Sequence, residues 1–498
     1  MFANITVGAG VNFEHRISAA APVDAELISA GVAAGDYDDD GYIDLYVVGG
    51  DGATPNLLYR NLGDDTIRFE ERGVAAGVGV SGRRGSGPVF ADLDGDRHLD
   101  LFVGAVAGDP IAVFANNGDG TFTERTGGSG LDGLTRENTF SAALADYDLD
   151  GDLDMALSHW DWKEGIMPAA PIPDTETLWS NRGDGSFENV SVPSVLSGAI
   201  GGDGTDYSFT PNFADIDNDG SPDLLLASDF GTSQVFLNNR DGTFSEATTP
   251  AISDENGMGA AVGDYDNDGD LDWFVTAIAA AGVSQDNGFN GNRLYRNDGT
   301  GTFGDVTTAT GVRIGGWGWA SCFADFNNDG VLDIFHVNGW HDARFSELPA
   351  RLFIADGNGR FDEVALASGV TTDRQGRGVV CADFDRDGDV DLFIVNNRNF
   401  AELYENRLAA GRNWLTVRLR GAPPNTQGVG ARIFVTAAGA TQIREIRVGS
   451  NFVSQHVAEA HFGLAEAEEI TELRVVWPGG GETVLNAVAT NQLLAIGQ

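Results

Sequence analysis

A chain of 498 residues is too long for one ordinary compact core, so it must hold several domains or a repeat architecture. Its apolar fraction is that of a folded protein, but 75 acidic residues against 30 basic ones give a formal net charge of −45, and Lys163 is the only lysine. Such a surface repels phosphate backbones, which excludes nucleic acid and anionic membrane as partners. No apolar run is long enough to span a bilayer, which excludes membrane insertion. Repeat sequence starts at Phe2 with no visible signal peptide. A cytoplasmic protein is expected if Met1 is the native start, and an extracellular or periplasmic one if a leader was trimmed.

In chain order, the first element is a fragment, Phe2-Ala-Asn-Ile5. It matches a pattern, Phe-x-[Asp/Glu/Asn], that recurs at Phe69, Phe122, Phe187, Phe244, Phe303 and Phe361. Next comes an acidic loop, Asp36-Tyr-Asp38-Asp-Asp40-Gly41-Tyr-Ile-Asp44, followed by the β-prone run Leu45-Tyr-Val-Val48. The loop recurs at Asp92, Asp146, Asp215, Asp264, Asp325 and Asp383. After each loop lies a third pattern, Leu58-Tyr-Arg-Asn61 in the first unit and Leu403-Tyr-Glu-Asn406 in the last, with Ala355 the one departure at the Asn position. Gly-rich turns such as Asn117-Gly-Asp-Gly-Thr121 lead into the Phe pattern.

Four short strands per unit, with a period of about 50 to 70 residues, read as propeller blades. The seventh unit ends at Asn406 with no Phe strand after it, and the missing copy is Phe2–Ile5. The expected fold is therefore an all-β, seven-bladed propeller over 1–406, closed by pairing of residues 2–10 with the strand around Leu403–Glu405. The tail, 407–498, alternates apolar and polar residues, as in Thr416-Val-Arg-Leu-Arg420 and Ile443-Arg-Glu-Ile-Arg-Val448, and is expected as a small β-sandwich-like domain. Cys322 and Cys381 lie in apolar strands at near-equivalent places of successive units. They are expected as buried free thiols, with a bridge between neighbouring blades as the alternative.

The acidic loops carry the chemistry. Carboxylates at positions 1, 3, 5 and 9, Gly at 6 and a backbone carbonyl at 7 make an oxygen cage suited to calcium. The ligand positions are Asp36, Asp38, Asp40 and Asp44; Asp92, Asp94, Asp96 and Asp100; Asp146, Asp148, Asp150 and Asp154; Asp215, Asp217, Asp219 and Asp223; Asp264, Asp266, Asp268 and Asp272; Asp325, Asn327, Asp329 and Asp333; and Asp383, Asp385, Asp387 and Asp391. Up to seven structural Ca²⁺ are expected, bringing the charge from −45 to about −31. Asn327 should weaken the sixth site. In the second loop Gly95 and Arg97 exchange the usual positions, so its turn is expected to differ.

The loops and the Asn-x-Gly-Asp-Gly-x-Phe turns resemble FG-GAP/VCBS repeats, the class that includes the integrin α-subunit propeller. Gly428-Val-Gly-Ala-Arg-Ile-Phe-Val435, Gly449-Ser-Asn-Phe-Val-Ser-Gln455, His461-Phe-Gly-Leu464 and Val475-Val-Trp-Pro-Gly-Gly480 resemble the ASPIC/UnbV domain. Together they resemble the cartilage-acidic-protein-like (CRTAC) family. The resemblance implies calcium binding and, for many members, export. It also implies a link, in some bacterial relatives, to enediyne biosynthesis with carbon–carbon bond formation.

The repeats serve as internal controls for a ligand site. Seven residues before each loop stand small residues: Ser29, Gly85, Thr139, Ser208, Gly257, Gly318 and Gly376. The flanking positions vary: Ile28, Arg84, Asn138, Tyr207, Asn256, Trp317 and Gln375 before, and Ala30, Ser86, Phe140, Phe209, Met258, Trp319 and Arg377 after. Strand alternation is expected to place both variable sets at the channel mouth, on the face opposite the acidic loops. The second-to-third strand loops add His159, Trp160, Asp229, Asn338, Trp340, His341, Asn396 and Arg398. Arg84, Trp160, Tyr207, Trp317, Trp319, Trp340, Arg377 and Arg398 are the expected ligand contacts, for a protein, glycan or small molecule. An insertion over Trp162–Thr177 and the connection Ser191–Ser208 are candidate lids. The first reading is a binding or adhesion module. The alternative is a cofactor-independent enzyme acting on an aromatic or polyketide-like substrate, in which His159 or His341 works with Asp229 as acid and base.

Overall fold

Alternating apolar residues between turn-forming loops produce seven antiparallel sheets, each containing four strands in the order expected from the repeats. The computed structural model describes residues 1–18, 24–63, 66–160, 176–196, 200, 206–279, 289–409 and 411–498. Most of the candidate lid Trp162–Thr177, and part of Ser191–Ser208, lie outside them. In the first sheet the strands are Val32–Gly35, Asp44–Val47, Leu57–Asn61 and Phe69–Glu71, and in the second Gly85–Ala91, Asp100–Ala105, Ala112–Asn116 and Phe122–Glu124. The innermost strands of successive sheets touch in order, and that of the seventh touches that of the first, so the circuit is closed. Apolar residues fill the gaps, as where Tyr46, Val48 and Leu58 of the first sheet meet Phe90, Leu101 and Phe114 of the second.

Closure uses the N-terminal strand. Ala3 and Asn4 pair antiparallel with Glu405 and Tyr404. The Ile5 amide continues the ladder to the Leu403 carbonyl at 2.9 Å. Phe2 packs edge-on against Phe326. The last sheet is thereby completed from the other end of the chain.

The acidic loop has one backbone form in all seven copies. Position 4 is left-handed in each, from Asp39 (φ 57°) to Arg386 (φ 64°), and so is position 6, from Gly41 (φ 98°) to Gly388 (φ 93°). The second loop keeps this form with the residues exchanged, Gly95 at φ 74° and Arg97 at φ 80°, so the expected different turn is corrected.

Neighbouring sheets are stapled by the Asn of the third strand. The Asn61 side-chain amide donates to the Phe384 carbonyl at 2.9 Å, across to the seventh sheet. The same bond runs from Asn116 to Tyr37, Asn181 to Leu93, Asn238 to Tyr147, Asn297 to Ile216 and Asn406 to Phe326. Each acceptor is position 2 of the preceding sheet's acidic loop. Ala355 leaves the sixth sheet without this staple.

The expectation of free thiols is also corrected, since Cys322 and Cys381 form a disulfide between the sixth and seventh sheets. Cys322 precedes its loop by three residues and Cys381 by two. A one-residue offset turns the two side chains to opposite faces of equivalent strands. Because adjacent sheets confront each other with opposite faces, both sulfurs enter the same gap.

The tail forms two further sheets. Asn413–Arg420 lies between Glu459–Ala465 and Gln492–Gly497, and Arg432–Ala437 lies within a second, four-stranded sheet with Ala440–Glu445, Glu469–Val476 and Glu482–Ala489. Leu415, Val417, Ile433, Val435, Phe462 and Leu473 make their shared core.

Two outcomes test this description. Removing residues 1–12 strips the buried Phe2, Ala9 and Val11 and should cost upwards of about 5 kcal/mol, read as a clear drop in melting temperature. A truncated chain that melts like the intact one contradicts the closure. Cys381→Ala should cost about 2–4 kcal/mol in guanidinium unfolding, and reductant should lower the native protein but not the variant.

Candidate functional site

Each acidic loop concentrates carboxylates that the backbone only partly satisfies. In the first, the Gly41 amide donates to Asp36 Oδ2 at 3.0 Å and the Tyr42 amide to Asp40 Oδ1 at 3.0 Å. Asp44 accepts from Tyr37 and Asn61 amides at 3.1 and 2.7 Å. Buried oxygens are left over: Asp36 Oδ1, Asp38 Oδ1, Asp94 Oδ1, Asp146 Oδ1, Asp266 Oδ1 and Asp385 Oδ1 have no hydrogen-bond partner. Asp36, Asp38 and Asp40 each offer an oxygen within 4.8 Å of the others, as do Asp92, Asp94 and Asp96; Asp146, Asp148 and Asp154; Asp215, Asp217 and Asp223; and Asp264, Asp266 and Asp272.

Burial, reinforced by neighbouring carboxylates, makes ionisation costly here. Asp154 and Asp272 are pushed up to about 9, Asp223 to about 8 and Asp100 to about 7. Position 1 moves the same way, to about 6 at Asp146, Asp215 and Asp264 and to about 7 at Asp325. Orphaned, dehydrated carboxylate oxygens of this density can hold a hard divalent cation. In two loops an arginine hydrogen-bonds a pair of these carboxylates. Arg60 bonds Asp38 and Asp40, and Arg296 bonds Asp266 at 2.6 Å and Asp268 at 2.5 Å. At the sixth loop, Arg412 donates to the Asn327 side-chain oxygen at 2.8 Å.

The tail lies on the acidic-loop face and bonds to all seven sheets. Arg418 reaches Asp36 Oδ2 at 2.7 Å, and Thr426 bonds Asp92. Val448 accepts from Leu144, Arg432 pairs with Asp215 at 3.5 Å, and Arg447 bonds the Val262 carbonyl. Ala465 bonds Asn328, and His461 bonds Gly388.

From the same side, a finger over residues 450–455 enters the channel and satisfies groups of the innermost strands. The Val32 amide donates to Val453, Gln455 bonds both the amide and carbonyl of Phe90, and Ser454 Oγ accepts from Val379. Phe452 is fully buried at the centre, against Phe140, Phe209 and Trp319.

This finger removes part of the expected ligand site, the residues at the ring axis. In the fourth, sixth and seventh sheets a bulge interrupts the innermost strand at Ser208/Thr210, Gly318/Ser321 and Gly376/Gly378. The interruption falls at Phe209, Trp319 and Arg377, and bulges re-aim side chains. These residues line a filled channel and not an open rim. Arg377 is fully buried, with its guanidinium 4.4 Å over Trp319 and donating to the Leu27 and Gly339 carbonyls at 2.9 Å. Trp160 is buried on Phe209 and donates to Asp229 at 3.2 Å. Arg84 is committed to Asp109 and Glu26 at 2.7 and 3.2 Å. Tyr207 packs on Phe230, and Arg398 stands exposed on the seventh sheet.

Nor do the acid–base candidates meet. His159 is fully buried between the Asn138 and Glu176 carbonyls at 3.0 and 3.3 Å. Asp229, pushed up to about 7 by burial, serves Trp160 and Asn256. His341 is exposed beside Trp340. The enzyme alternative has no support in this arrangement.

What does converge on the face opposite the acidic loops is aromatic. Trp317 stacks on Trp340 at 5.0 Å and 20°, and Trp340 meets His341 at 4.6 Å. Phe345, with Phe289 stacked beside it and Arg344 across both rings, abuts Trp317. Sequence reasoning missed Phe345, Arg344 and Phe452. An apolar Phe452-Val453 pair set among Ser and Asn was the available signal for the finger.

Repeated acidic corners around a ring, beneath a β tail, define the class. The model for FG-GAP-like repeats matches residues 36–103, 98–157, 215–275, 278–336 and 343–394, and the model for ASPIC and UnbV matches 421–498. The chain belongs to the FG-GAP-like repeat family, with an ASPIC and UnbV domain at its tail. It is 26% identical over 488 residues to cartilage acidic protein 1 of Xenopus tropicalis, covering 91% of this chain and 71% of that one. To the Homo sapiens protein of that name it is 25% identical over 510 residues, covering 94% and 71%. Among solved structures, an Agrocybe aegerita lectin described for recognition of non-reducing terminal N-acetylglucosamine matches with a TM-score of 0.41 and 17% identity, over 75% of this chain and 94% of that one.

Truncating Phe452 to Ala should leave a hole at the ring axis and cost about 3–5 kcal/mol, measured by denaturant unfolding. A smaller loss would mean that the finger is not part of the core.

Proposed function

We propose that this protein is a calcium-stabilised binding module that docks a protein or glycan partner on the face opposite its acidic loops. The observation that carries the reading is the Trp317–Trp340 stack, half-buried and flanked by exposed His341 and Arg344. Paired indoles give a flat apolar surface with polar tips, a form suited to the apolar face of a sugar ring or to a protein anchor. The disulfide supports an oxidising compartment, in keeping with export.

Calcium is the reading for the acidic loops because every donor is an oxygen and the loops leave several carboxylates per site. Bound Ca²⁺ supplies charge neutralisation and a cross-link between the first and second strands. The Asp side chains do the rest, holding loop amides and fixing strand ends. Up to seven ions are expected, the sixth site weakest.

Chelation with EDTA should lower the melting temperature sharply and added calcium should restore it, by mass action. An unchanged melt would remove calcium from the account. Trp340→Ala should reduce capture on a glycan array or an extracellular protein panel by roughly tenfold or more, with little change in melting temperature. Retained capture would place the partner elsewhere.

A further inference from the structure

A second site, unrelated to the aromatic face, lies where the tail meets the first two sheets. There a cavity of ≈ 360 Å³ opens among Arg97, Leu99, Leu419, Arg420, Thr426 and Val457. Its volume is within the range of small-molecule sites, about 300–1,000 Å³. Its charged groups divide sharply by whether they are already used. The carboxylates are largely engaged: Asp36 Oδ2 bonds Gly41 and Arg418 while its Oδ1 is one of the orphan oxygens of the loop, Asp39 Oδ2 bonds His98 at 3.2 Å, and Glu459 bonds Arg386 and Arg418. Arg418 is spent in the same bonds. Arg97 and Arg420 are both exposed, and among the described residues neither makes an ion pair.

The repeats give an independent reason to single out Arg97. Position 6 of the acidic loop is Gly41, Gly151, Gly220, Gly269, Gly330 and Gly388 in the other six copies. Arg97 holds the same left-handed backbone, φ 80°, without glycine's freedom. Arg97 is the one side chain at position 6, and it borders the cavity, while Gly95 takes the left-handed position 4 that non-glycine residues hold in the other six loops.

We infer that this cleft binds a small organic carboxylate with an apolar body, its carboxylate held between Arg97 and Arg420 and its body against Leu99, Leu419 and Val457. Two guanidinium groups at the mouth of one cleft, without an ion pair among the described residues, call for an anion. The net charge of −45 and the nearby carboxylates oppose each added negative charge, which favours a monoanion over a polyanion. Guanidinium forks match a carboxylate in geometry and charge.

The variant Arg97→Gly provides the test because it restores the residue that the other six loops carry. It should fold with a melting temperature equal to or above that of the parent. Hexanoate, benzoate and 4-phenylbutyrate would be titrated calorimetrically into the full chain, with calcium present at physiological salt, beside their neutral amides. At least one carboxylate should bind saturably to the parent protein, and its affinity should fall ~10-fold or more in both Arg97→Gly and Arg420→Gln. The matching amide should not bind measurably. The inference is overturned if no carboxylate saturates, if Arg97→Gly binds as well as the parent, or if amide and acid bind alike.

Discussion

The ninth residue of the acidic loop is the point on which the architecture turns. In every sheet this buried Asp accepts from the amide at position 2 of its own loop and from the amide that ends the third strand, as Asp100 does from Leu93 and Asn116. One carboxylate thus fixes the end of the first strand, the start of the second and the end of the third. In six sheets the third-strand residue is Asn, and its side chain carries the constraint back to the preceding sheet. Strand geometry and ring geometry therefore share a single hydrogen-bonded node. Buried groups of this kind are costly unless satisfied, which makes the node specific as well as cohesive.

The tail completes what the ring leaves open. Innermost strands expose edge groups to the axis, and a bare channel would leave them to water. The 450–455 finger answers those groups one sheet at a time and puts Phe452 where the aromatic side chains of three sheets converge. Recognition is thereby displaced from the axis. On the readings proposed above, it falls to the aromatic face on one side and to the cleft beneath the tail on the other.

Local pattern made much of this legible. The repeat, the four-strand unit, the closing strand and the carboxylate clusters all follow from residues close in sequence, or from a count that leaves one copy missing. The errors come from effects that spacing does not carry. Spacing favours free thiols at Cys322 and Cys381 over the bridge that forms, because a one-residue offset matters only once facing sheets are known. The inward turn of Trp319 and Arg377 depends on bulges, which break the alternation that placed them on a rim. The position of the tail depends on contacts between residues hundreds of positions apart, such as Arg418 with Asp36. The cleft was invisible for the same reason, although its oddest residue, Arg97, was plain in the alignment of the loops.

The joining of Ala3–Asn4 to Tyr404–Glu405 also bears on how the molecule is made. On the ribosome the opening strand emerges first and its partner about 400 residues later, a wait on the order of 20–80 s at cellular elongation speeds. Through that interval the nascent chain carries an unmatched ladder at each end of an unfinished arc. The brevity of the early strand, two residues with a polar Asn4, keeps that interval from offering much of a template to other chains.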